Sequence, residues 1–169
     1  MNSFAPRTSK PINWSTAILF TLGFWLSGSL VFDCLIVPGM LTSGMMNEPS
    51  FAGASYIIFG AFNHVELFCA AVVLAGLLVF RYGERSLVLG DNKSLLTAGV
   101  LLAIALVYTY ILTPQMSSMG MPLDLFESAK VIPSSMTIMH LIYWSLEAVK
   151  LVAGVILLRS CYRKSCDLA

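Results

Sequence analysis

Four long apolar stretches dominate the chain, at 14–38, 54–80, 94–113 and 135–158, and most charged residues gather between and beyond them. A helix needs about 20 mainly apolar residues to cross roughly 30 Å of hydrocarbon, and each stretch meets that length. Backbone groups in lipid must satisfy one another, and these stretches lack the alternation of barrel strands, so helices are the expected form. The pattern predicts an all-α fold, a polytopic four-helix membrane bundle in one domain. The connecting segments 39–53, 81–93 and 114–134 are too short for a second domain.

Composition removes the soluble alternative. Of 169 residues, 57% are hydrophobic and 11% charged, against roughly a quarter charged in an ordinary soluble domain. Mean hydropathy is +0.81. The net charge of +1 provides no basic face to neutralise a run of phosphates, which excludes nucleic acid as a partner.

The basic residues set an orientation. Arg7 and Lys10 precede the first stretch, Arg81, Arg85 and Lys93 lie between the second and third, and Arg159, Arg163 and Lys164 follow the fourth. The opposite side has only Lys130, beside Glu48, Asp124 and Glu127. The positive-inside rule then predicts both termini in the cytoplasm. Arg7 and Lys10 before an apolar run superficially resemble a signal peptide, but the run is too long for a signal h-region and is kept as the first helix. Trp14, Tyr82 and Tyr162 fall where interfacial aromatic anchors belong. Cys34 and Cys69 lie within stretches and Cys161 and Cys166 on the reducing side, so the cysteines are read as small residues rather than a disulfide framework.

The two halves of the chain share landmarks. The first stretch ends in Val37-Pro38-Gly39-Met40 and the third in Thr113-Pro114-Gln115-Met116. At equal distances beyond the two prolines come His64 and His140, and Leu74-Ala75-Gly76-Leu77-Leu78-Val79-Phe80-Arg81 parallels Val152-Ala153-Gly154-Val155-Ile156-Leu157-Leu158-Arg159. The pattern predicts two parallel two-helix repeats related by an axis along the membrane normal. Each proline disfavours helix in the residue before it and removes a donor, so Pro38 and Pro114 are expected to end their helices at the outer interface.

Ionisable residues in spanning helices are costly and mark functional candidates. They are Asp33, His64, Glu66, His140, Glu147 and Lys150, with Asn63 as an uncharged companion. Helical spacing puts His64 with Gly60, Phe68, Ala71 and Ala75 on a stripe suited to close helix contact, whereas Glu66 shares a different face with Phe59, Asn63 and Ala70. His140, Glu147 and Gly154 recur on one stripe of the fourth helix, with Lys150 one turn from Glu147; Glu66 competes with Glu147 as the partner of Lys150. Three readings stay open for Asp33, Asn63, Glu66, Glu147 and Lys150: a polar clasp that fixes helix register, a site or proton path, and snorkelling of Lys150 to the cytoplasmic face.

Apart from Met1, every methionine falls on or near the outer side: Met40, Met45, Met46, Met116, Met119, Met121, Met136 and Met139. Thioether and imidazole suit Cu(I), so Met116, Met119, Met121, Met136 and Met139 beside His140 are candidate copper ligands, with flexible apolar filling as the alternative. His64 and His140 are also candidate axial ligands of one b-type haem between helices. No GxGxxG, P-loop, GxSxG, HxxxH or HExxH is present, so the sequence carries little sign of catalysis.

Phe59-Gly60-Ala61-Phe62-Asn63-His64 opening the second helix, Met139-His140 followed seven residues later by a polar residue, and the Gly-rich first helix ending in Pro38 resemble the small membrane proteins of the transmembrane-protein-205-like domain of unknown function. Phe24-Trp25-Leu26-Ser27-Gly28-Ser29 and Tyr108-Thr109-Tyr110-Ile111-Leu112-Thr113-Pro114 are similar to cyanobacterial members. The resemblance covers nearly the whole chain and implies a four-helix fold and a bacterial cytoplasmic or thylakoid membrane. It brings no reaction with it. The expected function is a non-enzymatic accessory or binding protein of the membrane, in contact with the lipid bilayer. It would act alone, as a homo-oligomer through small residues such as Gly23, Ser27, Gly60 and Ala71, or with another membrane protein. The alternative is a haem- or copper-handling redox protein using His64, His140 and the outer methionines.

Overall fold

The computed structural model describes residues 14–43, 51–82, 91–118 and 134–166. Four helices are long and apolar enough to cross a membrane: Trp14–Met40, Gly53–Tyr82, Asn92–Ser118 and Thr137–Lys164. At 1.5 Å per residue, about 28 residues span roughly 40 Å, so the ends reach beyond the hydrocarbon into the headgroup layers. Helix α1 runs as Trp14–Val31, passes through a π-helical segment at Phe32–Ile36 and resumes as Val37–Thr42. Helix α2 is Phe51–Tyr82, and α4 is Ser134–Cys166. Helix α3 is Asn92–Val107, a second π-helical segment at Tyr108–Leu112, and a last helical piece at 113–118. Among the described residues there is no strand.

Neither proline ends its helix, which corrects the expectation from the sequence. In a continuous α-helix Pro38 would face the carbonyl of Cys34, and Pro114 that of Tyr110, with no N–H to donate and a ring pressing on the oxygen. The wider π turn moves that carbonyl aside. The N–H of Val37 donates to Phe32 O, and the N–H of Thr113 donates to Tyr108 O, each five residues back. Both π segments end two residues before their proline.

Helix α4 also continues past residue 158, the limit expected from apolar content. Arg163 and Lys164 occupy its last turn, where cations favour the helix dipole. At the same end Asp91 caps α3, accepting a 2.7 Å bond from the Ser94 N–H and pairing with Lys164 at 3.2 Å. The Ser94 amide is the main influence holding the Asp91 carboxyl below the usual aspartate range, with Lys164 adding to it.

Each helix packs against two others: α1 and α3 both lie against α2 and α4, closing a four-membered ring. The end of this ring with Trp14, Tyr82, Asn92 and Lys164 is the basic end. The other, with Pro38 and Pro114, is the proline end. Towards the basic end the core is apolar, with Ile18, Leu22, Val73, Leu77, Leu101 and Leu157 buried together. Two glycines let α1 approach. A Cβ on Gly76 would stand 2.8 Å from Ile18 Cγ1, and one on Gly154 2.7 Å from Leu26 Cδ2.

Candidate functional site: a buried carboxyl–lysine centre

The buried ionisable groups converge at mid-height and towards the proline end. Lys150, 2% exposed, sits one helical turn from Glu147 on α4 and reaches across the axis to α2. Its Nζ is 2.5 Å from Glu66 Oε1 and 2.6 Å from Glu147 Oε1. The partners between which the sequence left a choice are thus both engaged. Snorkelling of Lys150 is overturned, because desolvated carboxylates within reach hold the ammonium more strongly than a distant interface.

Helix α1 adds neutral donors to the same carboxylate. Trp25 Nε1 donates to Glu66 Oε1 at 3.1 Å, and Ser29 Oγ donates to it at 2.9 Å. Trp25, Ser29 and Asp33 recur every four residues, with Asp33 at the start of the π segment. Helix α3 contributes Tyr108, whose hydroxyl donates to Glu147 Oε2 at 3.1 Å and whose ring lies 5.4 Å beneath the Lys150 ammonium. Each π segment turns two consecutive residues inward, Phe32 with Asp33 and Tyr108 with Thr109. The π turn makes this possible because it rotates less per residue than the α-helix.

Asn63 lies one turn further towards the proline end of α2. Its Nδ2 donates to Thr113 Oγ1 at 2.6 Å, and its backbone carbonyl accepts from Thr109 Oγ1 at 3.4 Å. Aromatic rings wall this region: Phe32 stacks on Phe62 at 4.3 Å and meets Phe59 edge-on at 5.0 Å, and Tyr108 packs on Tyr143 at 4.8 Å. The crevice beside Lys150, between Trp25, Ser29, Leu101 and Gly154, is too narrow for a water molecule.

Two carboxyl oxygens are left without a hydrogen-bond donor, Asp33 Oδ2 and Glu147 Oε1. The second touches Lys150 as an ion pair but off the hydrogen-bonding direction. The two acids are neighbours that influence each other electrostatically. Glu66 and Glu147 each accept from neighbouring groups, whereas Asp33 faces its fellow acid.

The structure therefore unites all five residues of the predicted polar network, Asp33, Asn63, Glu66, Glu147 and Lys150, as buried groups. It adds Trp25, Ser29, Tyr108, Thr109, Thr113 and Tyr143, which the sequence reading passed over. Trp25 and Ser29 were findable by extending the Asp33 stripe backward at helical spacing. Tyr108 and Thr109 were not, because the π turn breaks that spacing.

His64 stands apart. It is exposed, its Nδ1 2.6 Å from the Gly60 carbonyl of its own helix, while His140 is partly buried on α4. Phe68, Ala71 and Ala75, on the same stripe of α2, are exposed with it, and a Cβ on Gly60 would meet nothing. The contact face of α2 is instead the one carrying Asn63, Glu66, Ala70, Val73 and Leu77. Of the two expectations for the small-residue stripe, internal packing and a homo-oligomer contact, the first is not met within the bundle. Of the candidate copper ligands, Met116 and Met139 are partly buried. Met119 and Met121 lie outside the described residues, as does the side chain of Met136. Cys34, Cys69 and Cys161 are free thiols. Among the described residues no group of three or more His, Cys, Asp or Glu side chains forms a metal site.

No family model, curated protein or solved structure matches this chain.

Proposed function

We propose that this chain is a non-enzymatic accessory protein of the membrane whose buried centre binds and exchanges one proton between Asp33 and Glu147. The carrying observation is the imbalance of charge: three carboxyl groups, Asp33, Glu66 and Glu147, are enclosed with one ammonium, Lys150. Charge within a bilayer is expensive unless paired. Glu66 meets Lys150 and accepts from Trp25 and Ser29, and Glu147 meets Lys150 and accepts from Tyr108. Asp33 has no such donors. One proton shared between Asp33 and Glu147 removes one charge and supplies the hydrogen bond that the two oxygens lack. The proton links α1 to α4, so its loss would set two carboxylates against each other across that contact and loosen the proline end.

The same reading places the basic end on the cytoplasmic side of a bacterial cytoplasmic or thylakoid membrane, by the distribution of Arg and Lys. The equal placement of the two π segments before Pro38 and Pro114 supports two parallel repeats. Kinship with the transmembrane-protein-205-like family rests on the Phe59 to His64 and Met139-His140 motifs.

Infrared difference spectroscopy on the protein in lipid tests the proton directly. A pH step should produce a protonated-carboxyl band that shifts in D2O and disappears in both Asp33→Asn and Glu147→Gln. A band unchanged in both variants, or no band at any pH, would leave a static clasp and end the proton reading.

A further inference from the structure

A second feature lies at the basic end, on the outer surface of the ring between α1 and α4. There a groove of about 660 Å³ opens to the surroundings. Thr16, Leu19 and Phe20 form one wall, and Val155 and Leu158 form the other. These positions follow helical i, i+3, i+4 spacing, so each wall is a continuous stripe rather than scattered side chains. Arg159 and Tyr162 close the groove at its basic end.

Among the described residues the charge at this rim is uncompensated. Nearby cations have partners: Arg81 donates to Asn92 Oδ1 at 2.5 Å, and Lys164 pairs with Asp91 at 3.2 Å. Arg159 is exposed and meets no acidic side chain among the described residues, and the same holds for Arg163 one turn further on. Phe20 is 76% exposed and Tyr162 61%. The groove is thus apolar along its length, with an aromatic hydroxyl and a guanidinium that meets no acid among the described residues where the helix ends meet the headgroup layer.

We propose that this groove is a specific site for an anionic phospholipid, one acyl chain lying between Phe20 and Val155 and the phosphate held by Arg159. Two properties choose this occupant over a second apolar helix. An apolar cleft facing hydrocarbon is filled by an acyl chain without burying a polar group, and a guanidinium at headgroup depth forms paired hydrogen bonds with a phosphate. Tyr162 provides a further donor, and Arg163 adds positive charge near the same headgroup. The proposal depends on the membrane location, not on the proton held by Asp33.

Native mass spectrometry of the full chain, released from detergent containing phosphatidylglycerol or phosphatidylcholine with identical acyl chains, tests it. One phosphatidylglycerol should remain bound per chain in preference to phosphatidylcholine. A basic residue near a charged membrane surface contributes about 1 kcal/mol, so Arg159→Gln should weaken retention of the anionic lipid about fivefold. Val155→Trp, which fills the groove but keeps the charge, should reduce retention of both lipids. Both positions are exposed, and the helical circular-dichroism spectrum should be unchanged. Equal retention of the two lipids, or a preference untouched by Arg159→Gln, would overturn the proposal. So would a lipid-free dimer abolished by Val155→Trp, which would make the groove a contact between copies of this chain.

Discussion

Towards the basic end, side chains that meet at the axis are aliphatic or small, and α1 comes close because Gly76 and Gly154 leave room for Ile18 and Leu26. Towards the proline end the same four helices meet through an ammonium, three carboxyls, an amide, hydroxyls and a wall of aromatic rings. The first region is held by close packing, whose strength lies in many small contacts and whose specificity lies in shape. The second is held by few strong interactions, each of which leaves a costly orphan if its partner is removed. A bundle in lipid gains little from apolar burial alone, since lipid tails are as apolar as leucine. The polar region fixes which helices are neighbours and in what register, and the glycine region fixes how near they come.

The sharpest way to break this contrast is Lys150→Met. It strands Glu66 and Glu147 in the interior, and removing one partner of a buried ion pair costs about 3–5 kcal/mol. The unfolding midpoint in detergent should fall steeply. The triple variant Glu66→Gln, Glu147→Gln, Lys150→Met should recover most of the loss, because no charge remains unpaired. A drop well under 1 kcal/mol for Lys150→Met would mean that water or another cation reaches the carboxylates.

A smaller loss is expected at the basic end. In Gly76→Ala the new methyl collides with Ile18, which is fully buried, and overpacking of this kind costs about 1–3 kcal/mol. Adding Ile18→Val should relieve part of it. Gly76 faces Ile18 and Trp14 whereas Lys150 meets Glu66 and Glu147, so combining Gly76→Ala with Lys150→Met should give nearly additive losses. Marked non-additivity would show that the two regions are one cooperative unit and not separate devices.

The smallest effect lies outside the membrane. Asp91→Ala removes the α3 cap and should cost about 1 kcal/mol, the usual value for such a cap. The Asp91 carboxyl is depressed by the Ser94 amide. Its contribution is therefore complete above the ordinary aspartate range and fades as pH falls through that range to the lower folded value. The gap between wild type and Asp91→Ala should close on acidification, by thermal unfolding at a series of pH values. Its carboxylate is 44% exposed, so water screens the pairing with Lys164 and the effect stays modest.

Much of this was legible along the chain, and the failures have definite causes. Apolar length alone located the four helices, because the thickness of hydrocarbon leaves little freedom. Helical spacing correctly separated the Glu66 face of α2 from the His64 face, yet the small residues around His64 suited internal packing as well as a homo-oligomer contact, and within the bundle they do not pack inside. Small size permits close approach but does not compel it, whereas a carboxyl such as Glu66 is costly to leave facing lipid. Pro38 and Pro114 looked like helix ends because local rules describe α turns. The π segments, an alternative that also accommodates proline, depend on the packing of Phe32 and Tyr108 against other helices.

The amino-acid sequence by itself determined that this chain crosses a membrane four times, and which residues are too polar to face lipid. Those outcomes follow from the free energy of transferring single groups. Tertiary structure alone decided that Lys150 takes both Glu66 and Glu147, that Trp25, Ser29 and Tyr108 supply the donors, and that Asp33 is left facing a second acid. Pairing among several charges in a low-dielectric interior is settled by distances of a few ångströms, and those distances exist only after four helices have chosen their neighbours.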